Sequence, residues 1–287
     1  MAPSKKLFLA AAFIFFTLCT MEADAAQYKR IVSLYPGHTD NIIALGGSER
    51  LIAISENEEE STLPALPRLP LKTGAEAVLA LHPDLVLIRA LVQKQNPQLA
   101  RVLERAGVKV VMMDTPSWNE FDAYLQKLAP LIGKSPQEAS AKLSKLKNEL
   151  AADTARYHRK KKPLVLVEAT AKELHTCSPD SWASRLIALA GGVNAASGAK
   201  ASRNGSAIAP WGLERTLKLA GSGLNIYLVQ NGPMNMSTKA EVEKRPWYQV
   251  LKKSVKVAYI PEYYLSRPSL TSLEKGGREL IKIFYGE

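Results

Sequence analysis

The side chains able to hold a ligand sit in short turns between apolar runs. Tyr35, Gly37 and His38 share the turn Tyr35-Pro36-Gly37-His38, and Arg89, Trp118, His175, Trp182, Trp211, Tyr263 and Tyr264 occupy comparable places further along. Aromatic rings of this kind bury and stack on large planar molecules. Arg89, Arg203 and Arg267 carry the guanidinium fork that pairs with carboxylates, phosphates or catecholates. For each single aromatic, packing in a core or at a rim is an equal alternative, and Arg267 beside Pro268 reads first as a structural cap. His175-Thr176-Cys177 offers imidazole and thiol, both ligands for soft or borderline metals. Two residues so close do not make a site, and His38, His82 and His158 are scattered. No bare metal site and no resident cofactor is expected, and Cys177 reads as an unligated thiol.

Catalytic signatures are missing. The chain has no Gly-x-Ser-x-Gly elbow, no His-Glu-x-x-His and no phosphate-binding glycine loop. Glu168 and Glu173 are close in sequence, but nothing marks them as an acid and base pair. The chain therefore reads as a binding protein and not an enzyme. Its net charge of +11 suits an anionic ligand or an anionic membrane surface, or is simply a solvated face. No basic motif is interleaved with aromatics, which argues against nucleic acid.

The elements that must position these residues alternate between strand and helix. The runs at 30–34, 51–54, 84–88 and 108–113 read as strands, with helices after Thr39, after Thr73, over 96–105 and over 117–131. Several strands are apolar on both faces, the mark of a parallel sheet covered by helices. In such sheets ligands bind beyond the carboxyl ends of strands, which singles out 35–38, 55–57, 89–91 and 114–118. The alternation resumes at Pro163 and continues through strands at 163–168, 225–229 and 255–260 to a terminal helix over 269–284. Loops are expected at 174–181, 230–236 and 261–268.

Between the two halves lies Ser135–Lys160, rich in Ala, Leu, Lys and Glu and free of glycine and of proline after Pro136. Ser135 suits the cap, Pro136 the first helical position, and Ala139, Leu143, Leu146 and Leu150 form an apolar stripe. A helix of that length would be about 37 Å long. The fold class expected is α/β: two lobes with mainly parallel sheets, joined by this one long helix.

The first 25 residues read as a secretory signal peptide. Lys5-Lys6 precede the apolar run Leu7–Leu18, and Ala23-Asp24-Ala25 supplies the small residues of a cleavage site near Ala25. Removing it takes away Cys19 and leaves Cys177 alone, so no internal disulfide is expected. The expected division is signal peptide 1–25, lobe 26–134, linker helix 135–160 and lobe 161–287.

Several segments, in order, resemble one family. RIVSLYPGHTDNIIALGGSERLIAI is similar to the opening of the periplasmic binding proteins that serve iron-complex and cobalamin importers. GAEAVLALHPDLVLI, ALAGGVNAA, RPWYQVLKKSVKVAYI and SRPSLTSLEKGGREL resemble later segments of that family. The resemblance implies a periplasmic monomer that captures a ferric siderophore, or alternatively a corrinoid or haem, and delivers it to an ABC permease dimer in the inner membrane. It also implies a ligand cleft between the lobes, and that Glu76 and Glu214, each near the start of a short helix, meet arginines of the permease. The residues alone offer a plainer role: Thr73-x-x-Glu76 fits a capping box, and any glutamate in a first helical turn favours the helix dipole.

Overall fold

A computed structural model describes residues 28–58, 65–201, 203 and 205–286. The expected signal peptide lies outside the described residues. The first half runs β1 (Ile31–Ser33), α1 (Pro36–Ala44), β2 (Leu51–Ser55), β3 (Arg68–Leu69), α2 (Ala75–Leu79), β4 (Leu85–Ile88), α3 (Ala90–Gln95), α4 (Leu99–Arg105), β5 (Lys109–Met112) and α5 (Phe121–Leu131). After α6 (Pro136–Ala155) come β6 (Leu164–Glu168), β7 (Thr176–Cys177), α7 (Trp182–Leu189), β8 (Val193–Asn194), β9 (Ile208–Ala209), α8 (Leu213–Gly221) and β10 (Ile226–Asn231). The chain closes with α9 (Lys239–Glu243), α10 (Tyr248–Leu251), β11 (Lys256–Pro261), α11 (Glu262–Leu265) and α12 (Gly277–Tyr285).

The first lobe is built on a parallel sheet in the order β3-β2-β1-β4-β5. The second is built on a parallel sheet in the order β11-β10-β6-β8. All four residues of β4 are buried, as a central strand covered on both faces requires. The fold is thus the two-lobed α/β arrangement that the alternation predicts.

Helix α6 starts as its sequence dictates. The Ser135 hydroxyl accepts the amides of Gln137 and Glu138, and Pro136 takes the first helical position. Ala139, Leu143, Leu146 and Leu150 are its buried stripe. It ends at Ala155 and not at Lys160, because Tyr157 turns inward and stacks on Tyr285 with ring centroids 4.3 Å apart. Twenty residues give a rod about 30 Å long.

That stripe belongs to an apolar cluster shared by both lobes. It joins Ile31, Leu85 and Phe121 of the first lobe to Trp182, Leu228 and Ile260 of the second. Gly277 lets α12 approach closely, since a Cβ there would lie 2.3 Å from Leu150 Cδ2. Smaller clusters cover the outer face of each sheet, around Val32 and Val86 in one and around Leu166 and Tyr227 in the other.

Several elements differ from expectation. Helix α3 begins immediately after β4, where only a post-strand turn is expected. The 174–181 loop contains β7, which pairs antiparallel with β9. The 261–268 loop contains α11, and a π-helical turn at Ser272–Gly276 precedes α12. These are short pieces whose periodicity is too brief to read from sequence.

A polar bridge adds to the shared core. The Asn41 amide donates to the Pro268 carbonyl (3.2 Å) and its oxygen accepts the Leu270 amide (3.0 Å), with every group buried. Removing that acceptor in Asn41→Ala strands a buried N–H. The expected cost is about 1–3 kcal/mol, read as a lower denaturant midpoint at unchanged slope.

Candidate functional site

The carboxyl ends of the two sheets meet. Helix α1, which follows β1, is bonded through Asn41 to the segment after α11, which follows β11. Turns that leave β1, β4 and β5 form the first-lobe side of this junction. There the Arg89 guanidinium carbon lies 4.4 Å from the Tyr35 ring centroid, a cation–π contact. The Thr115 hydroxyl donates to the Tyr35 hydroxyl (3.1 Å), and Asp114 accepts the Ala90 amide (2.9 Å), which anchors the start of α3. Arg89 has no ion-pair partner among the described residues, so its charge is available to a ligand.

Gly37 and His38 are buried beneath this pair and do not face a ligand. A Cβ on Gly37 would lie 2.4 Å from Tyr35 Cε1, so glycine is needed for the ring to fold over its own turn. The His38 ring meets the Tyr35 ring edge-on at 5.0 Å, and its Nδ1 is 2.8 Å from the Tyr124 hydroxyl. Burial lowers His38 from its ordinary 6.5 to about 4, which makes it a neutral support.

Trp118 and Trp182 are also placed differently from expectation. Their rings lie 4.7 Å apart across the two lobes, and Trp182 is 4.8 Å from Phe121. Trp182 is buried, and its indole N–H donates to Ser272 (2.8 Å). Trp118 is half-buried under Lys147 of α6. Both rings pack between the lobes, in the cluster that also holds the buried stripe of α6.

At the junction itself Arg267 pairs with Asp40 (3.6 Å), with both side chains nearly buried. Arg267 is therefore an interlobe ion pair, a partner its position beside Pro268 does not disclose. Glu58 is buried beside them, hydrogen-bonded to Thr39, with one carboxylate oxygen lacking a hydrogen-bond partner. Desolvation raises Glu58 from 4.5 to about 7, against the Thr39 hydrogen bond. Sequence reasoning passed over Glu58 because it stands in the acidic run Glu56–Glu60, which reads as a solvated loop.

In the second lobe His175 is half-buried, with Nδ1 3.4 Å from the Thr170 hydroxyl, and its carbonyl accepts the Ala169 amide. Cys177 is buried in β7 and its thiol is pushed up to about 12 by burial. Among the described residues no group of three His, Cys, Asp or Glu could hold a metal ion. Tyr263 and Tyr264 meet edge-to-face at 4.4 Å at the end of β11. Trp211 is half-buried, with its indole nitrogen lacking a hydrogen-bond partner and Arg215 5.5 Å from its ring.

Beside Trp211 is a cavity of about 320 Å³. Ala171, Leu174, Leu213 and Trp247 form its apolar walls, with Glu173, Gly212 and Arg245 completing it. Every one of these residues belongs to the second lobe. Arg245 is fixed by the buried Glu168 (2.6 Å) and by Ser237 (2.6 Å). Glu173 and Leu174 hold φ of 58° and 44°, a region that costs about 1–3 kcal/mol for a non-glycine residue. None of the walls except the neighbourhood of Trp211 is legible from residue type.

Glu76 and Glu214 are both exposed in the first turn of their helices, α2 and α8. The capping box expected at Thr73 does not form, since Gly74 is the cap and the Thr73 hydroxyl has no hydrogen-bond partner. Neither glutamate has an ion-pair partner among the described residues.

Residues 31–250 match the family model described as periplasmic binding protein. The chain belongs to the periplasmic binding protein family. It is 27% identical over 190 residues to the vitamin B12-binding proteins of Yersinia pestis strain Pestoides F and Yersinia pseudotuberculosis serotype O:3 strain YPIII, an alignment covering 64% of this chain. The chain spans 65% of the length of these relatives. Among solved structures it is similar to a periplasmic haem-binding protein of Pseudomonas aeruginosa (TM-score 0.69, 20% identity, 90% of this chain and 93% of that one). It is also similar to the periplasmic vitamin B12-binding protein of Vibrio cholerae (TM-score 0.62, 19% identity, 91% and 99%). At these identities the structures of this family attest the fold.

The two shifted groups at the junction act in opposite directions on stability. His38 binds fewer protons folded than unfolded, so its contribution is full above pH 6.5 and is lost as pH falls through 4. Glu58 binds more protons folded than unfolded, so its contribution is full below pH 4.5 and is lost as pH rises through 7. Between pH 4.5 and 6.5 the two slopes oppose each other. Glu58→Gln should unmask a melting temperature that climbs with pH across that window, and His38→Gln one that falls. Identical slopes in both variants and the parent would contradict the assignment.

Proposed function

We propose that the chain is the exported solute-binding component of an ABC importer. It captures a large iron chelate, a ferric siderophore, between its lobes and hands it to a permease dimer in the inner membrane. The observation that carries the choice of ligand is Arg89, an unpaired guanidinium laid on the Tyr35 ring at the carboxyl ends of β1 and β4. A cation on an aromatic platform suits an anionic, planar chelate such as a ferric catecholate. Thr115 and Asp114 complete the rim on that side, and Tyr263 stands at the corresponding strand end of the second lobe. His175 and Trp211 are proposed as second-lobe contacts, since both lie in loops at that end. The chemistry is capture and release, with no reaction catalysed.

A corrinoid is the second reading, favoured by the vitamin B12-binding relatives. Trp118 and Trp182 add nothing to it, being packed between the lobes. Haem is a third ligand of the same size class, named for several structural neighbours. The proposed division is a signal peptide removed near Ala25, a lobe over 26–134, a connecting segment over 135–160 and a lobe over 161–287. The mature protein acts as a periplasmic monomer.

Glu76 and Glu214 are proposed to fix the docking orientation, one exposed carboxylate on each lobe. Reversing both to arginine should stop uptake while leaving ligand affinity intact, and unchanged transport would refute the assignment. For the ligand, calorimetric titration with a ferric catecholate, cyanocobalamin and haemin decides. The catecholate should bind at about micromolar Kd or better, and Arg89→Ala should weaken it by about tenfold or more. Failure of all three ligands at that level would overturn the ligand class.

A further inference from the structure

The cavity of the second lobe is too small for the proposed cargo. At about 320 Å³ it stands at the bottom of the range of about 300–1,000 Å³ usual for drug-sized ligands, and a corrinoid or a tris-catecholate is larger than those. It also draws nothing from the first lobe, whereas a cargo held between lobes must touch both.

Its surroundings point outward. Leu213, on the wall, is 38% exposed and is followed directly by the exposed Glu214. Asn235, whose side-chain oxygen accepts the Ala171 amide (3.2 Å), lies between Met234 and Met236, which are 42% and 84% exposed. Flexible methionines around an apolar hollow are typical of surfaces that receive a partner. The hollow itself is rigid. Gly212 donates to the Leu174 carbonyl (3.1 Å), Arg245 is held at two points, and the positive φ values of Glu173 and Leu174 persist because these bonds over-determine the loop. A preformed socket loses little freedom when it is filled.

Charge selects the occupant. The chain carries +11, yet the carboxylates beside this hollow, Glu173 and Glu214, are exposed and have no ion-pair partner among the described residues. Of the two cations of α8, Arg215 and Lys218, the first lies over the Trp211 ring. We infer that the hollow walled by Ala171, Leu174, Leu213 and Trp247 is a docking socket for an apolar side chain of the membrane permease, flanked on the permease by cationic residues that meet Glu173 and Glu214. The inference rests on the importer reading given above and adds an anchor to it. The glutamates would set orientation and approach, while the filled hollow would set residence time.

Two variants test it in the full mature chain. Ala171→Trp fills the hollow, and Leu213→Ser strips an exposed wall with little expected cost to folding. Binding of fluorescently labelled protein to inner-membrane vesicles of the native host is measured beside calorimetric affinity for a ferric catecholate, cyanocobalamin and haemin. A photo-crosslinking residue at position 213 identifies what is touched. Both variants should weaken vesicle binding by about tenfold or more, as loss of an interface anchor does, with ligand affinity unchanged and the cross-link falling on the permease. Vesicle binding that survives both variants but is abolished by reversal of Glu76 and Glu214 would overturn the socket and spare the importer reading. Binding indifferent to all four residues would overturn both. Lost ligand affinity would assign the hollow to the cargo, and a cross-link to a second copy of the chain would make it a dimer contact. Either result also overturns the inference.

Discussion

The structure depends on one apolar cluster that does not stop at the lobe boundary. Trp182 of α7 packs on Trp118 and Phe121 of the other lobe, and the Leu143–Leu150 stripe of α6 lies in the same cluster. Each lobe therefore completes its core with side chains of the other. Wide opening would expose that shared surface, at roughly 25 cal/mol per Å² of apolar area. Large hinge motion is thus unfavourable. Arg89, Tyr35 and Tyr263 stand at the strand ends, outside that shared core.

Polar groups at the junction follow from this closeness. Once α1 and the segment after α11 are pressed together, their buried donors and acceptors need partners. Asn41 serves two backbone groups and Arg267 answers Asp40. Glu58 is the member left short, with one oxygen unpaired, and its raised titration is the cost of sitting beside Asp40 away from water. His38 is the converse case, a base kept neutral because its place under Tyr35 excludes solvent.

The sequence made the layers and their order legible because hydrophobic periodicity and strand-to-helix alternation are properties of whole segments. The strand-end rule singled out the turns of Tyr35 and Arg89, and the fold brings these two side chains together though they are distant in sequence. It could not say which residues of a turn face out. His38 and Gly37 share a turn with Tyr35 but point into the core, and Trp182 reads as a ligand platform until α6 sets its direction. The interlobe role of Arg267, the buried state of Glu58 and the cavity walls all arise from long-range contacts, which one strand of text does not encode. Thr73 shows the reverse error. A motif that matches a capping box by spacing fails because Gly74 takes the cap.

Cys177 carries a consequence of a different kind. Its thiol lies in β7, packed in the shared cluster, and burial pushes its titration to about 12. An alkylating reagent meets it only when the β7–β9 strand pair opens locally, since the thiolate is scarce and the sulfur covered until then. The side chain is therefore a built-in clock. The rate at which it is labelled in the native protein counts the breathing of that strand pair. Slower labelling on adding a cargo or a partner would report how much that companion steadies the lobe.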